Sequence, residues 1–236
     1  MIKGILFDKD GTLVEFQHTW HLIMDSVFQR MAKDFRLDDS AIRSLQTLSG
    51  YTVEGFVQES MIQYLSTREI VGKWIDVLGQ RGYTAVSGKR LLSVFEETSL
   101  KITSPEILLP GVKETLNYLS GNNYILGVAT ADTTASAVAG LRRTDLLHYF
   151  SYIGSDDGLI KPKPYPDMAE LFCRRFEFSN SELLIVGDST SDMLFAENAG
   201  AAFAGIIADY NKFPVRSKTQ CRFVSSVSEI IDAFLL

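Results

Sequence analysis

Ile2-Lys3-Gly4-Ile5-Leu6-Phe7-Asp8-Lys9-Asp10-Gly11-Thr12-Leu13-Val14 is the stretch around which the rest of the chain must be arranged. Ile5, Leu6 and Phe7 form a short unbroken apolar run, the pattern of a strand buried on both faces of a parallel sheet. The run stops at two carboxylates, Asp8 and Asp10, and Gly11 frees the backbone to turn back sharply. This order predicts a central strand whose carboxyl end carries a site, the place where open α/β sheets bind ligands. Two acids at i and i+2 repel each other unless a cation sits between them, which points to a hard divalent ion such as Mg2+ with phosphate beside it. Taken alone, the same residues also suit an ordinary turn in which Asp and Gly serve only as turn formers.

The whole composition is compatible with that reading. The chain has 236 residues, 46% hydrophobic and 22% charged, which suits a globular fold of one large domain or a domain with an insert. A net charge of −6 argues against a nucleic-acid surface, which needs a basic patch or stripe. Most of the acidic excess lies outside Glu15 to Ser104, in the part that holds Asp8, Asp10, Asp188 and Asp192. No apolar run approaches the roughly 20 residues of a membrane span. Met1 passes straight into the strand without the basic and apolar regions of a signal peptide, so the expected location is cytoplasmic. Cys173 and Cys221 are far apart, outside any CxxC, and read as small core or surface residues.

Beyond Val14 the periodicity changes. Trp20, Ile23, Met24, Val27, Phe28, Met31 and Phe35 recur at helical spacing, and further helical patterns run through Val57 to Leu65, Ile70 to Leu78 and Leu91 to Leu100. Residues 15–104 are therefore expected to form an inserted helical domain, and residues 1–14 with 105–236 a Rossmann-like core. Thr103 to Gly111, with two prolines and a glycine, reads as the linker back. Regular alternation resumes after it. Helices are expected at Val112–Leu119, Ala135–Leu147, Asp167–Phe176, Asp192–Asn198 and Val227–Leu235. Strands are expected at Ile125–Ala129, Tyr152–Gly154, Leu183–Val186 and near Ala202–Ile207. The fold class is α/β, a doubly wound parallel sheet with helices on both faces.

Three further motifs follow predicted strands. Thr130 comes after Ile-Leu-Gly-Val-Ala, where a hydroxyl with free N–H groups at the next helix head suits a phosphate oxygen; a plain helix N-cap is the alternative. Lys161-Pro162-Lys163-Pro164-Tyr165-Pro166-Asp167 sets an ammonium on a stiff support, or is simply a solvated loop. Val186-Gly187-Asp188-Ser189-Thr190-Ser191-Asp192 adds two carboxylates four apart at a strand-to-helix turn, where acids also serve as ordinary caps. Four strand ends would have to imitate one site together for all the ordinary explanations to hold.

These motifs together, over the full chain, resemble the four motifs of the haloacid dehalogenase-like phosphohydrolases, and most of all the phosphoglycolate phosphatase-like members with a small helical cap. The resemblance implies that Asp8 is a nucleophile forming an aspartyl phosphate and Asp10 the general acid and then base. It implies that Thr130, with Ala131 beside it, and Lys163 bind the phosphoryl oxygens. Mg2+ is then held by Asp8, the backbone carbonyl of Asp10, and Asp188, with Asp192 assisting through water. Ala131 and Asp132 stand after Thr130, where in the family Asn often follows the hydroxyl residue, which puts the local hydrogen bonding in question. Lys161 and Lys163 both precede proline; Lys163-Pro-Tyr-Pro-Asp fits the family pattern better. The presence of Asp10 argues against a dehalogenase. His18 and His21 read as polar surface, and His148 has no evident partner.

The resulting expectation is a Mg2+-dependent phosphatase acting on a small phosphorylated metabolite, with no nucleic-acid or membrane partner, as a monomer or homodimer. A phosphoglucomutase-like transfer and a non-catalytic regulatory protein on the same fold are the alternatives. Substrate choice is expected near the Gly50-Tyr51 turn, with Arg43 as an anion contact.

Overall fold

The apolar run Gly4–Phe7 forms strand β1, and alternate residues on it enter two different cores: Ile5 and Phe7 one, Leu6 the other. That is why its sequence shows no polar alternation. The structure is a computed structural model, described for residues 1–57, 60–102, 106–206 and 220–236. In chain order after β1 come α1 (Phe16–Phe35), α2 (Asp39–Ser49), β2 (Tyr51–Thr52), β3 (Gly55–Phe56), α3 (Met61–Tyr64), α4 (Thr67–Gln80) and α5 (Gly88–Lys101). They are followed by α6 (Val112–Gly121), β4 (Ile125–Thr133), α7 (Thr134–Arg143), β5 (Tyr152–Asp156), α8 (Asp167–Arg175), β6 (Leu183–Gly187), α9 (Thr190–Ala199), β7 (Ala202–Ile206) and β8 (Cys221–Val224).

The chain divides into two compact units, one of Met1–Glu15 with Glu106–Leu236 and one of Phe16–Pro105. The first holds a six-stranded sheet in the order β5-β4-β1-β6-β7-β8, with every pairing parallel. β1 lies between β4 and β6, so the strand order reverses around it, and the carboxyl end of such a strand is where open parallel sheets bind ligands. α6, α7 and the C-terminal turns pack with Ile5, Phe7, Val128, Leu184 and Val186; α8 and α9 pack with Leu6, Leu183, Ile185 and Phe203. Where the chain leaves this unit and returns, Leu109 N–H donates to Leu13 O at 3.0 Å and Glu15 N–H to Ile107 O at 2.8 Å.

The second unit packs α1, α2, α4 and α5 around Trp20, Met24, Phe28, Leu45, Trp74 and Phe95. Trp74 is fully buried, and its indole N–H donates to Ser49 Oγ at 3.0 Å, which in turn donates to Leu45 O at 2.7 Å. The polar edge of the ring is thereby satisfied inside an apolar core. No helix among the described residues is long and apolar enough to cross a membrane.

Several boundaries differ from the sequence expectations. Thr103 to Pro105 of the expected linker, and Ile207 of the expected strand, lie outside the described residues. Within Val57–Leu65, expected as helix, Gln58 and Glu59 lie outside the described residues, and the described remainder holds the short helix α3; a β2–β3 hairpin precedes it, paired Tyr51 with Phe56 and braced by Gln17 Oε1 accepting from Phe56 N–H at 2.9 Å. The expected terminal helix is a short 3-10 turn at Val227–Glu229 and a π-helical stretch at Ile231–Leu235. β8 was not anticipated, because Arg222 and Phe223 are exposed and the strand has no apolar run.

Candidate active site at the carboxyl end of the central strand

Asp8 directly follows β1, and its N–H donates to Val186 O at 2.8 Å, so the residue is still tied to β6 as the chain begins to turn. The turn closes through Leu13 N–H to Lys9 O at 2.9 Å and Gly11 N–H to Val14 O at 2.8 Å. Gly11 has φ of 88°, and a Cβ there would come 2.1 Å from Asp188 Oδ2. Glycine is required twice over, by the left-handed backbone and by the carboxylate against it.

The second and third elements bring their charges to the same place. Lys163 Nζ donates to Asp8 Oδ1 and to Asp192 Oδ1, both at 2.6 Å, and all three side chains are buried. Lys161 is exposed, with its ammonium 5.0 Å from the centroid of the Tyr165 ring. Of the two lysines flanked by prolines, Lys163 is the one that meets Asp8. Asp192 is fixed from its own helix as well: Ser189 caps α9 by accepting from Asp192 N–H, and the Asp192 carboxylate accepts from Ser189 N–H at 3.1 Å.

Asp8, Asp188 and Asp192 each offer a carboxylate oxygen, all within 4.8 Å of one another. Burial lifts the Asp8 carboxyl above the usual range, Lys163 opposes this, and Asp192 and Asp10 add to it. Burial raises Asp188 well above the usual range, reinforced by Asp8 and Asp192. Burial works against the Lys163 charge, but Asp192 and Asp8 outweigh it and raise its pKa. When ionised, three acids facing one ammonium carry an excess of two negative charges, and an all-oxygen donor set suits a hard divalent cation that would stabilise that form. Two buried hydroxyls in the same turns, Thr12 Oγ and Ser191 Oγ, have no hydrogen-bond partner among the described residues. The residues present therefore fit Mg2+. Asp10 is not one of the three clustered carboxylates; its Oδ1 accepts from Lys9 Nζ at 2.8 Å.

Thr130 is buried, but it does not head a helix. β4 runs on to Thr133 with an irregularity in its pairing, so that Ala129 faces Gly154 while Thr133 faces Asp156. Thr133 is the cap of α7, accepting from Ser136 N–H, and Thr130 Oγ accepts from Asp132 N–H at 3.2 Å. Ala131, beside it, is half-buried. Arg43 belongs to the helical unit, exposed on α2. In that unit the Tyr51 hydroxyl is committed to Asp25 Oδ1 at 2.5 Å, and Gly50 ends α2 in the left-handed conformation. His21 stacks on Tyr51 with centroids 5.0 Å apart, and His148 Nδ1 lies 3.7 Å from Asp145.

Sequence reasoning missed Lys9. It is 2% exposed, and its ammonium lies 2.8 Å from Asp10, 3.2 Å from Asp132 and 3.4 Å from Glu106. Glu106 also binds Arg143 at 2.8 Å. Burial opposes the Lys9 charge, yet Asp10, Asp132 and Glu106 together hold its pKa well above the ordinary value. The sequence signal was a lysine between two acids, with a further acid, Asp132, shortly after Thr130.

Comparison with known proteins places this arrangement. A family model described as "Haloacid dehalogenase-like hydrolase" matches residues 5–206. The chain is 31% identical over 202 residues, 86% of its length and 80% of the relative's, to a probable phosphatase IndB of Dickeya dadantii. It is 28% identical over 212 residues, covering 89% of this chain and 86% of the relative, to a phosphoglycolate phosphatase of Nitrosospira multiformis. A crystal structure of a predicted phosphoglycolate phosphatase from Haemophilus somnus superposes with a TM-score of 0.70 at 25% identity, covering 98% of this chain and 97% of that one. The chain belongs to the haloacid dehalogenase-like hydrolases and, within them, is similar to the phosphoric monoester hydrolases.

Proposed function

We propose that the chain hydrolyses a small-molecule phosphomonoester through a phosphoryl-enzyme intermediate on Asp8, with Mg2+ as cofactor. The observation that carries this reading is the Lys163 ammonium 2.6 Å from Asp8 Oδ1, within a cluster of three carboxylates at the carboxyl end of β1. Phosphate-monoester hydrolysis is among the slowest uncatalysed reactions, with accelerations up to about 10^21, so charge neutralisation around a carboxylate nucleophile is indispensable. Asp8 attacks phosphorus, an Oδ–P bond forms and the ester P–O bond breaks, while Asp10 gives its proton to the departing oxygen. Water then attacks the same phosphorus, Asp10 takes its proton, the Asp8–phosphorus bond breaks, and inorganic phosphate leaves. Lys163 and the Thr130 hydroxyl bind the phosphoryl oxygens through both steps. Asp8, Asp188, Asp192 and the carbonyl of Asp10 are the groups that would hold Mg2+, which offsets negative charge on the phosphoryl group and on Asp8.

The core site recognises only the phosphoryl group, so the rest of the substrate must be read elsewhere. Residues 16–105 are inserted directly after the catalytic turn, and we assign that unit the role of a substrate-selecting cap, with Arg43 as candidate contact for a second anionic group. A phosphoglycolate-like substrate, small and carrying a carboxylate, is the class favoured by the named relatives. The test is phosphate release over a panel of phosphorylated metabolites with Mg2+, compared as kcat/KM. A small phosphorylated carboxylic acid is expected to lead without any bisphosphate. A strict bisphosphate requirement would mean phosphoryl transfer between sugars instead, and no release from any substrate would leave a regulatory protein on this fold.

A further inference from the structure

Outside the cluster on Asp8, the core unit buries a second group of charges. Lys9, Glu106 and Asp132 are 2%, 7% and 5% exposed, and the three come from the β1 turn, the returning chain and the end of β4. Arg143, on α7, binds the second oxygen of Glu106. A Cβ at Gly140 would stand 2.5 Å from Glu106 Oε1, so α7 carries glycine where that carboxylate lies against it. Taking an ammonium and several carboxylates out of water is expensive, and such a cluster is weak ground for stability. What it does secure is geometry: Lys9 is one residue from Asp10, contacts its carboxylate, and is itself braced by two acids rooted in other elements.

We propose that Lys9 is a positioning residue for Asp10: its ammonium, held by Glu106 and Asp132 with Arg143 behind Glu106, keeps the Asp10 carboxyl oriented to protonate the leaving group. The inference rests on the reading of Asp10 as general acid. A flexible aspartate at the mouth of a turn would spend much of its time misdirected, and misplacement by about 1 Å can cost on the order of 10^2 in rate. The cluster removes that freedom without touching substrate.

The test uses leaving groups of different basicity. kcat/KM reports steps up to formation of the phosphoryl enzyme, so only departure of the leaving group is read. An aryl phosphate such as p-nitrophenyl phosphate leaves without protonation, whereas an alkyl phosphate needs the acid. Lys9→Met is expected to lose about 10- to 100-fold more on the best alkyl phosphate than on p-nitrophenyl phosphate, a share of the 10^2 to 10^4 that general acids contribute. Glu106→Gln is expected to show the same selectivity more weakly, and the double variant to be no worse than Lys9→Met alone. Asp10→Asn is the control. If it is selective and Lys9→Met is equally impaired on both substrates, the positioning role is wrong while the acid assignment stands. If Asp10→Asn is itself unselective, the assignment of Asp10 fails and the inference falls with it. Should Lys9→Met not fold, Glu106→Gln decides: selective loss supports the role, and uniform loss or none overturns it.

Discussion

Replacing Lys163 by Met separates the observed job of its ammonium, compensating buried acids, from the proposed one, binding the phosphoryl group. The variant keeps most of the volume and removes two charge-assisted hydrogen bonds, to Asp8 and Asp192 at 2.6 Å each. Breaking a buried ion pair by deleting one partner costs about 3–5 kcal/mol, because the other charge is left uncompensated. For a chain of this size, at roughly 2–4 °C per kcal/mol, that predicts a fall in Tm of about 6–20 °C in the absence of metal. The penalty depends on pH with a definite sign. Asp8 and Asp188 have raised pKa values, so they bind protons more readily in the fold than in the unfolded chain. The variant's deficit should be smallest in acid, where they are protonated, and grow as pH rises through their folded pKa values. Mg2+ should restore part of it and bind the variant more tightly than the wild type, since one competing cation is gone. Turnover should nevertheless stay about 10^2 to 10^3 lower with saturating Mg2+, the usual loss for a preorganised donor to the transition state. Lys161→Met, which removes an exposed ammonium from the Tyr165 ring, should cost about 0.5–1 kcal/mol at most and leave kcat unchanged. Thermal melts with and without Mg2+, calorimetric Mg2+ titration and steady-state kinetics on both variants make the comparison. Lys163→Met with near-normal melting and activity, or Lys161→Met with the larger loss, would refute the reasoning.

Asp8→Asn should abolish phosphate release, because an amide is neither a competent nucleophile nor a good ligand for a hard cation; Mg2+-dependent turnover surviving above background in a purified sample would exclude Asp8 as nucleophile. Gly11→Ala should destabilise by about 1–2 kcal/mol from its left-handed backbone alone, and its Cβ, 2.1 Å from Asp188 Oδ2, should displace that acid and raise the Mg2+ concentration needed for half-maximal activity. An unchanged Mg2+ requirement would show that Asp188 does not need its observed position. Asp132 has its carboxyl pushed up to about 7 by burial, with Lys9 opposing and Asp10 and Glu106 adding, so its favourable contribution is present below the unfolded carboxylate pKa and is lost as pH rises through about 7. The stability difference between Asp132→Asn and wild type should therefore shift in the variant's favour as pH rises from about 5 to about 8, whatever its sign at the acid end, where loss of a partner for Lys9 also counts; urea melts showing a pH-independent difference would contradict this.

The parts of the fold that were legible are those whose local pattern and tertiary role coincide. β1 and β6 are buried on both faces, so their apolar runs were unbroken and their ends plain. Asp8 and Asp188 directly follow these two strands, so their meeting followed from the topology, whereas Lys163 sits in the proline-rich loop before α8 and was marked by its motif alone. β8 was hidden because its exposed Arg222 and Phe223 give it no apolar run, and β2 and β3 because two-residue strands held by Gln17 on α1 carry almost no periodic signal. The end of β4 was expected too early, at Ala129, because Thr130 follows an apolar run and looks like a cap; the strand continues to Thr133 with an irregular pairing, and Thr133 caps α7 instead.

Lys9 was illegible for a different reason, and the reason bears on how the two acids of the β1 turn can do different work. A lysine in a turn ordinarily reaches water, and only the folding of Glu106 and Asp132 onto it shows that this one does not. Asp8 and Asp10 are two residues apart, yet each has its own ammonium: Lys163, shared with Asp192, and Lys9, shared with Glu106 and Asp132. In the proposed mechanism, the acid that attacks shares its cation with carboxylates that fit a divalent ion. The acid proposed to exchange a proton is braced by groups outside that cluster. Separate partners would let one carboxylate serve as a nucleophile while its neighbour cycles between protonated and ionised forms, a division two adjacent acids sharing a single counter-ion could not maintain.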